Sequence, residues 1–430
     1  MKILHNKKIC CRHCNYETKF KFVDLGNSPP SNEYLTEKCL DMPEIFYPLQ
    51  VFVCSNCWLV QTKDFSSGSE LFKEDYSYLS STSSSWLEHC KKYVKEIVNA
   101  LNLSSSSFVV ELASNDGYLL NYFKDYEVPC LGIEPTEGTA KIAQRNGIET
   151  LVKFFGYETA KNVKKSHNKA DLIIGNNVYA HVPDINDFTK GIKTLLKDDG
   201  TVTLEFPSLL SLINQNQFDT IYHEHFSYLS LTSVQNIFKT HGLKIWKVEN
   251  LTTHGGSLRV YGCHEEASIT IDSSVKDQLN KEIDAGLQKI DSYENFQQSC
   301  EEIKISFLEF LLEAKKANKK VIGYGAAAKG STLLNYSGVK DDLIEYVCDG
   351  AEFKQNKYMP GSHIPIKHPS ALQADNPDYI VIFPWNIADE IFMLLKDKID
   401  EGTKLVTFIP EIKIKANQTI DIKRVCPISG

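Results

Sequence analysis

No stretch of this 430-residue chain approaches the length of a membrane span, and no apolar core follows the basic opening MKILHNKKICCRHC. These absences set the expectation of a cytoplasmic protein with no membrane partner. Positive charge is also short. With 47 Lys and Arg against 55 Asp and Glu, the net charge is −8, so no overall field draws in a phosphate backbone and a nucleic-acid partner is disfavoured. Cysteine is too dilute for a disulfide framework, at 12 residues over the whole chain. What remains, 42% hydrophobic and 24% charged residues, is ordinary globular material with enough apolar mass for more than one core.

The pattern along the chain divides it into four stretches. Residues 1–85 carry two Cys-x-x-Cys pairs, scattered aromatics and a Pro29-Pro30 turn, with little helical periodicity. From Trp86 an amphipathic helix places Tyr93, Val94, Ile97, Val98 and Leu101 on one face. Short apolar runs then alternate with helical patterns to about residue 265, the signature of a parallel α/β sheet, with strands expected at 108–112, 130–134, 171–175 and 201–206. Residues 266–319 read as polar bridging helices. A second α/β domain is expected over 320–430, with strands at 379–383 and 404–408. The fold class is therefore α/β: a small zinc-binding module, a central Rossmann-like domain and a C-terminal Rossmann-like domain.

FVVELASNDGYLLNYF has the form of a strand feeding a turn where an α/β sheet binds ligands. The strand ends in Glu111, Ala113 and Gly117 allow close backbone approach, and Asn115 sits at the corner. The next strand ends in Glu134, about 20 residues on, where a carboxylate can accept hydrogen bonds from a ribose diol. A dinucleotide site would need three glycines to reach a pyrophosphate, but this turn has one and adds Asp116, which repels phosphate. S-adenosylmethionine has no phosphate and a cationic centre, so the turn reads as its site. Asn176, at the end of DLIIGNNVYAHVPD, points to the same sheet edge.

Cys11, Cys14, Cys54 and Cys57 form two tight pairs flanking an insert. Four thiolates so spaced close a tetrahedral zinc site with no open position, a structural rather than catalytic arrangement. Cys10 and His13 are near enough to compete as ligands.

A polar run, Tyr222-His223-Glu224-His225, follows the fourth strand of the central domain. Four hydroxyl or ionisable side chains in a row are unusual in an element that only packs. The His-Glu-His spacing lacks the i, i+4 separation of a helical zinc pair, so acid–base chemistry is the better reading. His223 alternates with His225 and is expected to face packing.

At this point the chain resembles the sugar C-methyltransferases, which methylate a carbon of nucleotide-linked 4-keto-6-deoxysugars. The resemblance runs nearly end to end, through the cysteine pairs, LGNSPPSNEYL, DYSYLSSTSSSW, ELASNDGYLL, NNVYAHVPD, IYHEHFSYLS, HGGSLRVY and GYGAAAKG. It implies His225 as the base, with Tyr222, Glu224, Asn177 and His181 lining the site and Tyr76 reaching in from the N-terminal module. The chemistry makes sense independently, because carbon beside a ketone is acidic and a histidine can abstract its proton near pH 7.

In the C-terminal domain, GYGAAAKG follows a strand and opens a helix, so Gly325 and Lys329 are candidates for holding the diphosphate of a nucleotide sugar. His254, in a His-Gly-Gly turn, is a further substrate candidate, although the glycines suit a structural turn. The expected reaction is methyl transfer from S-adenosylmethionine to a carbon, C3 by this reading, of a nucleotide-diphosphate sugar. The rivals are O- or N-methylation of such a sugar and an NAD-dependent oxidoreductase. No sequence feature fixes the oligomeric state.

Overall fold

β-branched and apolar runs bounded by turn residues become the strands of two seven-stranded, mainly parallel sheets, each belonging to one of two compact units of the chain. The computed structural model describes residues 8–65 and 79–416, and the backbone of 419–422. Tyr76 lies outside the described residues. One unit comprises residues 1–20, 53–210 and 226–290; the other comprises 21–52, 211–225 and 291–430.

The first unit is built on seven strands: β1 (Val109–Leu112), β2 (Cys130–Ile133), β3 (Thr150–Leu151), β4 (Ala170–Asn176), β5 (Leu196–Pro207), β6 (Leu243–Leu251) and β7 (Ser257–His264). Their order in the sheet is β6-β7-β5-β4-β1-β2-β3. Strands β1 to β5 pair in parallel, whereas β7 runs antiparallel to both β5 and β6. The sequence order turns back between β1 and β4, and the carboxyl ends of the parallel strands at this reversal are where ligands gather. The helix Ser84–Leu101 buries Cys90, Tyr93, Val94, Ile97 and Val98, and the Ser83 side chain caps it by accepting from the Trp86 amide.

Cys11, Cys54, Cys57 and Leu59 belong to the same apolar core as Val110, Ile173 and Leu204. The cysteine knuckles are thus part of this unit's interior. Arg12 fastens them: its amide donates to Gln61 at 2.8 Å, and its guanidinium to the Pro183 carbonyl at 2.8 Å and to Asp64 at 2.7 Å.

The second unit carries β8 (Val321–Tyr324), β9 (Val347–Cys348), β10 (Ile366–Lys367), β11 (Tyr379–Ile382), β12 (Lys404–Thr407), β13 (Lys413–Ala416) and β14 (Thr419–Ile422), in the order β10-β9-β8-β11-β12-β13-β14. The first five pair in parallel and the last two add antiparallel strands at one edge. The expected polar helices appear as Ser273–Asp284 in the first unit and Phe296–Lys316 in the second. Residues 21–52 dock on the latter: Phe22 stacks on Phe296 with ring centroids 4.3 Å apart, and the Asp24 amide donates to Gln297 at 2.8 Å.

Candidate active site

The turn leaving β1 places Ala113, Asn115 and Gly117 in the left-handed region, with φ of 55°, 50° and 76°. At Gly117 a side chain would also meet Ile148 and Ala143 at 3.0 and 3.1 Å. Two non-glycine residues held in this region store about 1–3 kcal/mol each, which the surrounding hydrogen bonds must offset. The Glu134 carboxylate supplies two of them, accepting from the amides of Asn115 at 2.9 Å and Thr136 at 2.8 Å. The corner leads into a short 3₁₀ helix, Leu120–Tyr126, rather than a long α-helix.

Three acids are buried here: Glu111, Asp116 and Glu134. Burial pushes the Glu111 carboxyl well above its ordinary range, and the charges of Asp116 and Glu134 push it further. Among the described residues, one oxygen of Glu111, one of Asp116 and both amide atoms of Asn176 are buried without a hydrogen-bond partner. Native interiors seldom leave such groups unpaired, so this cluster is built for a ligand. Its acidity favours a cation and disfavours phosphate, which fits the sulfonium and ammonium of S-adenosylmethionine. Trp86 stands nearby in an aromatic group with Tyr118 and His254, at ring separations of 6.2 and 5.5 Å.

Behind these residues lies a buried network that sequence reasoning missed. Glu205 on β5 faces Arg259 on β7 in register, and the guanidinium donates to it at 2.6 Å. His89 sits 3.0 Å from the same carboxylate, and Thr253 donates to it at 2.9 Å. Burial would raise Glu205, but the His89 hydrogen bond and the Arg259 charge overcome it and hold the carboxyl down to about 2. The Glu205 carbonyl accepts from the Asn177 amide at 2.7 Å, and the Asn177 side chain meets His254 Nε2 at 3.0 Å. Asn177 and His254 are thus brought together. The available signal was one charge in each of two apolar strands, TVTLEFP and SLRVYG. His181 closes the adjacent 3₁₀ turn Tyr179–His181.

In the second unit, residues 217–225 form a tightly tied loop. The Thr220 carbonyl lies 2.7 Å from His225 Nδ1, which can approach it only as an N–H donor, so the basic nitrogen of the uncharged ring form would be Nε2. The Tyr222 ring lies against the imidazole, with centroids 4.0 Å apart. Asn32 donates to both oxygens of Glu224, at 2.9 and 2.8 Å. His223 turns to packing beside Tyr47 and Pro48, where burial holds its imidazole below the ordinary value.

The turn after β8 places Gly325 at φ 83°, where a side chain would strike Pro384 at 2.5 Å. The Ala326 amide donates to Asp349 at 2.7 Å, and the Ala326 carbonyl accepts from Tyr34 at 2.6 Å and from Lys354 at 2.9 Å. The helix Ala328–Ser337 then begins. Lys329 lies over the Trp385 ring at 4.3 Å and donates to Asn386 at 2.6 Å, while Trp385 donates to buried Asp219 at 2.7 Å. Burial pushes the Lys329 ammonium down to about 8 and the Asp219 carboxyl up to about 6.

The four sulfurs of Cys11, Cys14, Cys54 and Cys57 all lie within 4.8 Å of one another, with Cys11 to Cys57 at 3.4 Å and Cys14 to Cys54 at 3.5 Å. Tetrahedral zinc with bonds of about 2.3 Å requires sulfur–sulfur separations of about 3.8 Å, so the set fits one structural ion. Cys10 is exposed and His13 pairs with Asn186 at 2.8 Å, outside that set.

Comparison with known proteins agrees with this geometry. Residues 11–72 match a family described as a zinc binding domain, 86–248 a methyltransferase domain, and 252–410 a C-methyltransferase C-terminal domain. The C-methyltransferase NovU of Streptomyces niveus is 33% identical over 404 residues, covering 94% of this chain and 96% of its own length. Among solved structures, magnesium protoporphyrin IX methyltransferase from Synechocystis with bound S-adenosylmethionine is 14% identical, covering 41% of this chain and 79% of that one, with a TM-score of 0.32. PH0226 protein from Pyrococcus horikoshii is 15% identical, covering 45% of this chain and 99% of that one, with a TM-score of 0.35. These two likenesses are too distant to bear on the reaction. The near full-length match to NovU and the three family matches in series decide the matter: this chain belongs to the S-adenosylmethionine-dependent C-methyltransferases with a zinc-binding N-terminal region.

Proposed function

We propose that the chain methylates a carbon, C3, of a nucleotide-linked 4-keto-deoxysugar, with His225 as the base. The observation that carries this reading is the hydrogen bond from His225 Nδ1 to the Thr220 carbonyl, which sets the tautomer whose basic nitrogen is Nε2. Nε2 takes the C–H proton beside the ketone, and the C–H bonding pair passes into the enolate. Tyr222 donates to the enolate oxygen as charge develops there. S-adenosylmethionine, when bound, would supply an electrophilic methyl group for the enolate carbon, with S-adenosylhomocysteine as the leaving group. The resemblance also assigns Glu224, Asn177, His181 and Tyr76 to the sugar.

Glu111, Ala113, Asn115, Gly117, Glu134 and Asn176 hold the cofactor. The unpartnered Glu111 and Asn176 groups support that assignment. Gly325 and Lys329 hold the diphosphate, supported by the helix start and the local positive charge, and His254 contributes a further sugar contact. No helix among the described residues is long and apolar enough to cross a membrane, and we place the protein in the cytoplasm, where nucleotide sugars are made.

The test combines binding and exchange. Calorimetry with S-adenosylhomocysteine, NAD and a panel of nucleotide sugars should show the first and one of the last binding; binding of NAD alone would sink the reading. His225→Ala should keep S-adenosylhomocysteine affinity and lose C3 proton exchange with deuterated solvent. Retained exchange removes His225 from the base role.

A further inference from the structure

Glu224 stands beside His225 in the tied loop, and both its oxygens accept from the side-chain amide of Asn32. Only the amide nitrogen can face a carboxylate; the opposite flip would set oxygen against oxygen, so the network fixes which way Asn32 points. An amide bridging both oxygens sets the plane of the carboxylate.

The segment carrying Asn32 is itself pinned by four hydrogen bonds on three residues. The Ser31 carbonyl accepts from Ser331 at 2.9 Å, Tyr34 donates to the Ala326 carbonyl at 2.6 Å, and Leu35 exchanges backbone bonds with Tyr358 at 3.0 and 2.8 Å. The helix that supplies Ser331 also supplies Thr332, whose hydroxyl donates to the Ile221 carbonyl at 2.9 Å. One rigid element, Ala328–Ser337, thus fixes both the loop holding Asn32 and the loop holding Glu224. The Tyr34 hydroxyl is held well above its ordinary range by burial, then by the charges of Asp349 and Glu224, so it stays a donor throughout.

We propose that Asn32 is a positioning residue that acts through Glu224, orienting its carboxylate toward the sugar and tying that orientation to the glycine turn at 325–326 through Tyr34. This rests on the reading of Glu224 as a substrate-facing group. The sequence places Asn32 in LGNSPPSNEYL, one of the stretches that carry the family resemblance, but gives this asparagine no role of its own.

The test is a double-mutant cycle on the full-length protein, using the nucleotide 4-keto-deoxysugar that the wild type methylates. Asn32→Ala should lower kcat by ~10-fold or more, with S-adenosylhomocysteine affinity and melting temperature unchanged. In the Glu224→Gln background the same change should cost no more than ~2-fold, because coupled residues are not additive. Asn32→Asp, of the same shape but without donors, should be at least as damaging as Asn32→Ala. Should Asn32→Ala fail to fold, Asn32→Ser carries the cycle with a hydroxyl donor and a smaller expected loss. An equal factor in both backgrounds overturns the role of Asn32 while leaving that of Glu224 intact. Full activity in Glu224→Gln alone overturns both, and shows that the underlying reading failed.

Discussion

Each unit has a turn that leaves a parallel strand, and the two turns are built alike but differ in charge: the first gathers acids alone, the second acids matched by lysines. After β1 the Asn115 amide is held by Glu134 from the end of β2; after β8 the Ala326 amide is held by Asp349 from the end of β9. In both, a carboxylate from the neighbouring strand freezes the backbone. The surroundings then diverge. Glu111 and Asp116 add buried negative charge to the first turn and keep oxygens unpartnered, whereas Lys354 and Lys329 flank the second. On the proposed assignment, the same backbone device serves a cationic ligand in one place and an anionic one in the other. Side-chain charge, more than loop shape, sets what a glycine-bearing turn receives.

The largest effect expected from breaking this contrast comes from zinc, because the Cys11, Cys14, Cys54 and Cys57 cluster lies in the core of the first unit alone. Structural zinc contributes on the order of 10 kcal/mol or more to folding. Cys54→Ser, or zinc removal by chelator, should abolish S-adenosylhomocysteine binding and amide-exchange protection in β1, β2, β4 and β5. Hydrogen exchange by mass spectrometry should show β8, β9 and β11 still protected; equal loss in both sheets would refute the assignment of the staple to one unit.

A smaller effect is expected at Asp219, near the second turn. Its carboxyl is raised from 3.8 to about 6, so the folded state binds the proton more tightly than the unfolded state. Its contribution to stability is therefore present in full below pH 4 and is lost as the pH rises toward 6. The loss amounts to about 3 kcal/mol at neutral pH, from about 1.4 kcal/mol per pKa unit. Asp219→Asn should raise the melting temperature at pH 7 and flatten its pH dependence between 4 and 6. A lowered melting temperature at pH 7 would show that the ionised carboxylate is stabilising.

The mildest effect concerns Glu111. Burial and its acidic neighbours keep this group protonated above the ordinary carboxylate range, and a cation favours its ionised form. Affinity for S-adenosylmethionine should rise with pH across that window, by at most about tenfold per pH unit. Calorimetry at several pH values checks this, and Glu111→Gln should remove the slope.

Much of this was legible in the sequence. The two cysteine pairs, the acidic turn after β1 and the alternation of strands with helices were all visible because each rests on local spacing. The long-range pairings were not. Glu205 and Arg259 are 54 residues apart and meet only through the β5–β7 register, and Asn32 reaches Glu224 across 192 residues. Residues 21–52 look like the interior of the zinc module, yet Phe22 buries itself on Phe296, a contact that local periodicity cannot announce.

The interleaving of the chain also bears on its inheritance. Residues 21–52 and 211–225 leave and re-enter the first unit, so no single cut in the chain separates it from the unit carrying His225. A recombination event that exchanged only the segment after residue 290 would carry Ser331 and Thr332 away from Ser31 and Ile221, the partners they hold. Three stretches must therefore travel together. Diversification of the acceptor is then expected to proceed by point substitution within those stretches rather than by shuffling of modules, and a designed chimera that keeps all three should be the one that folds.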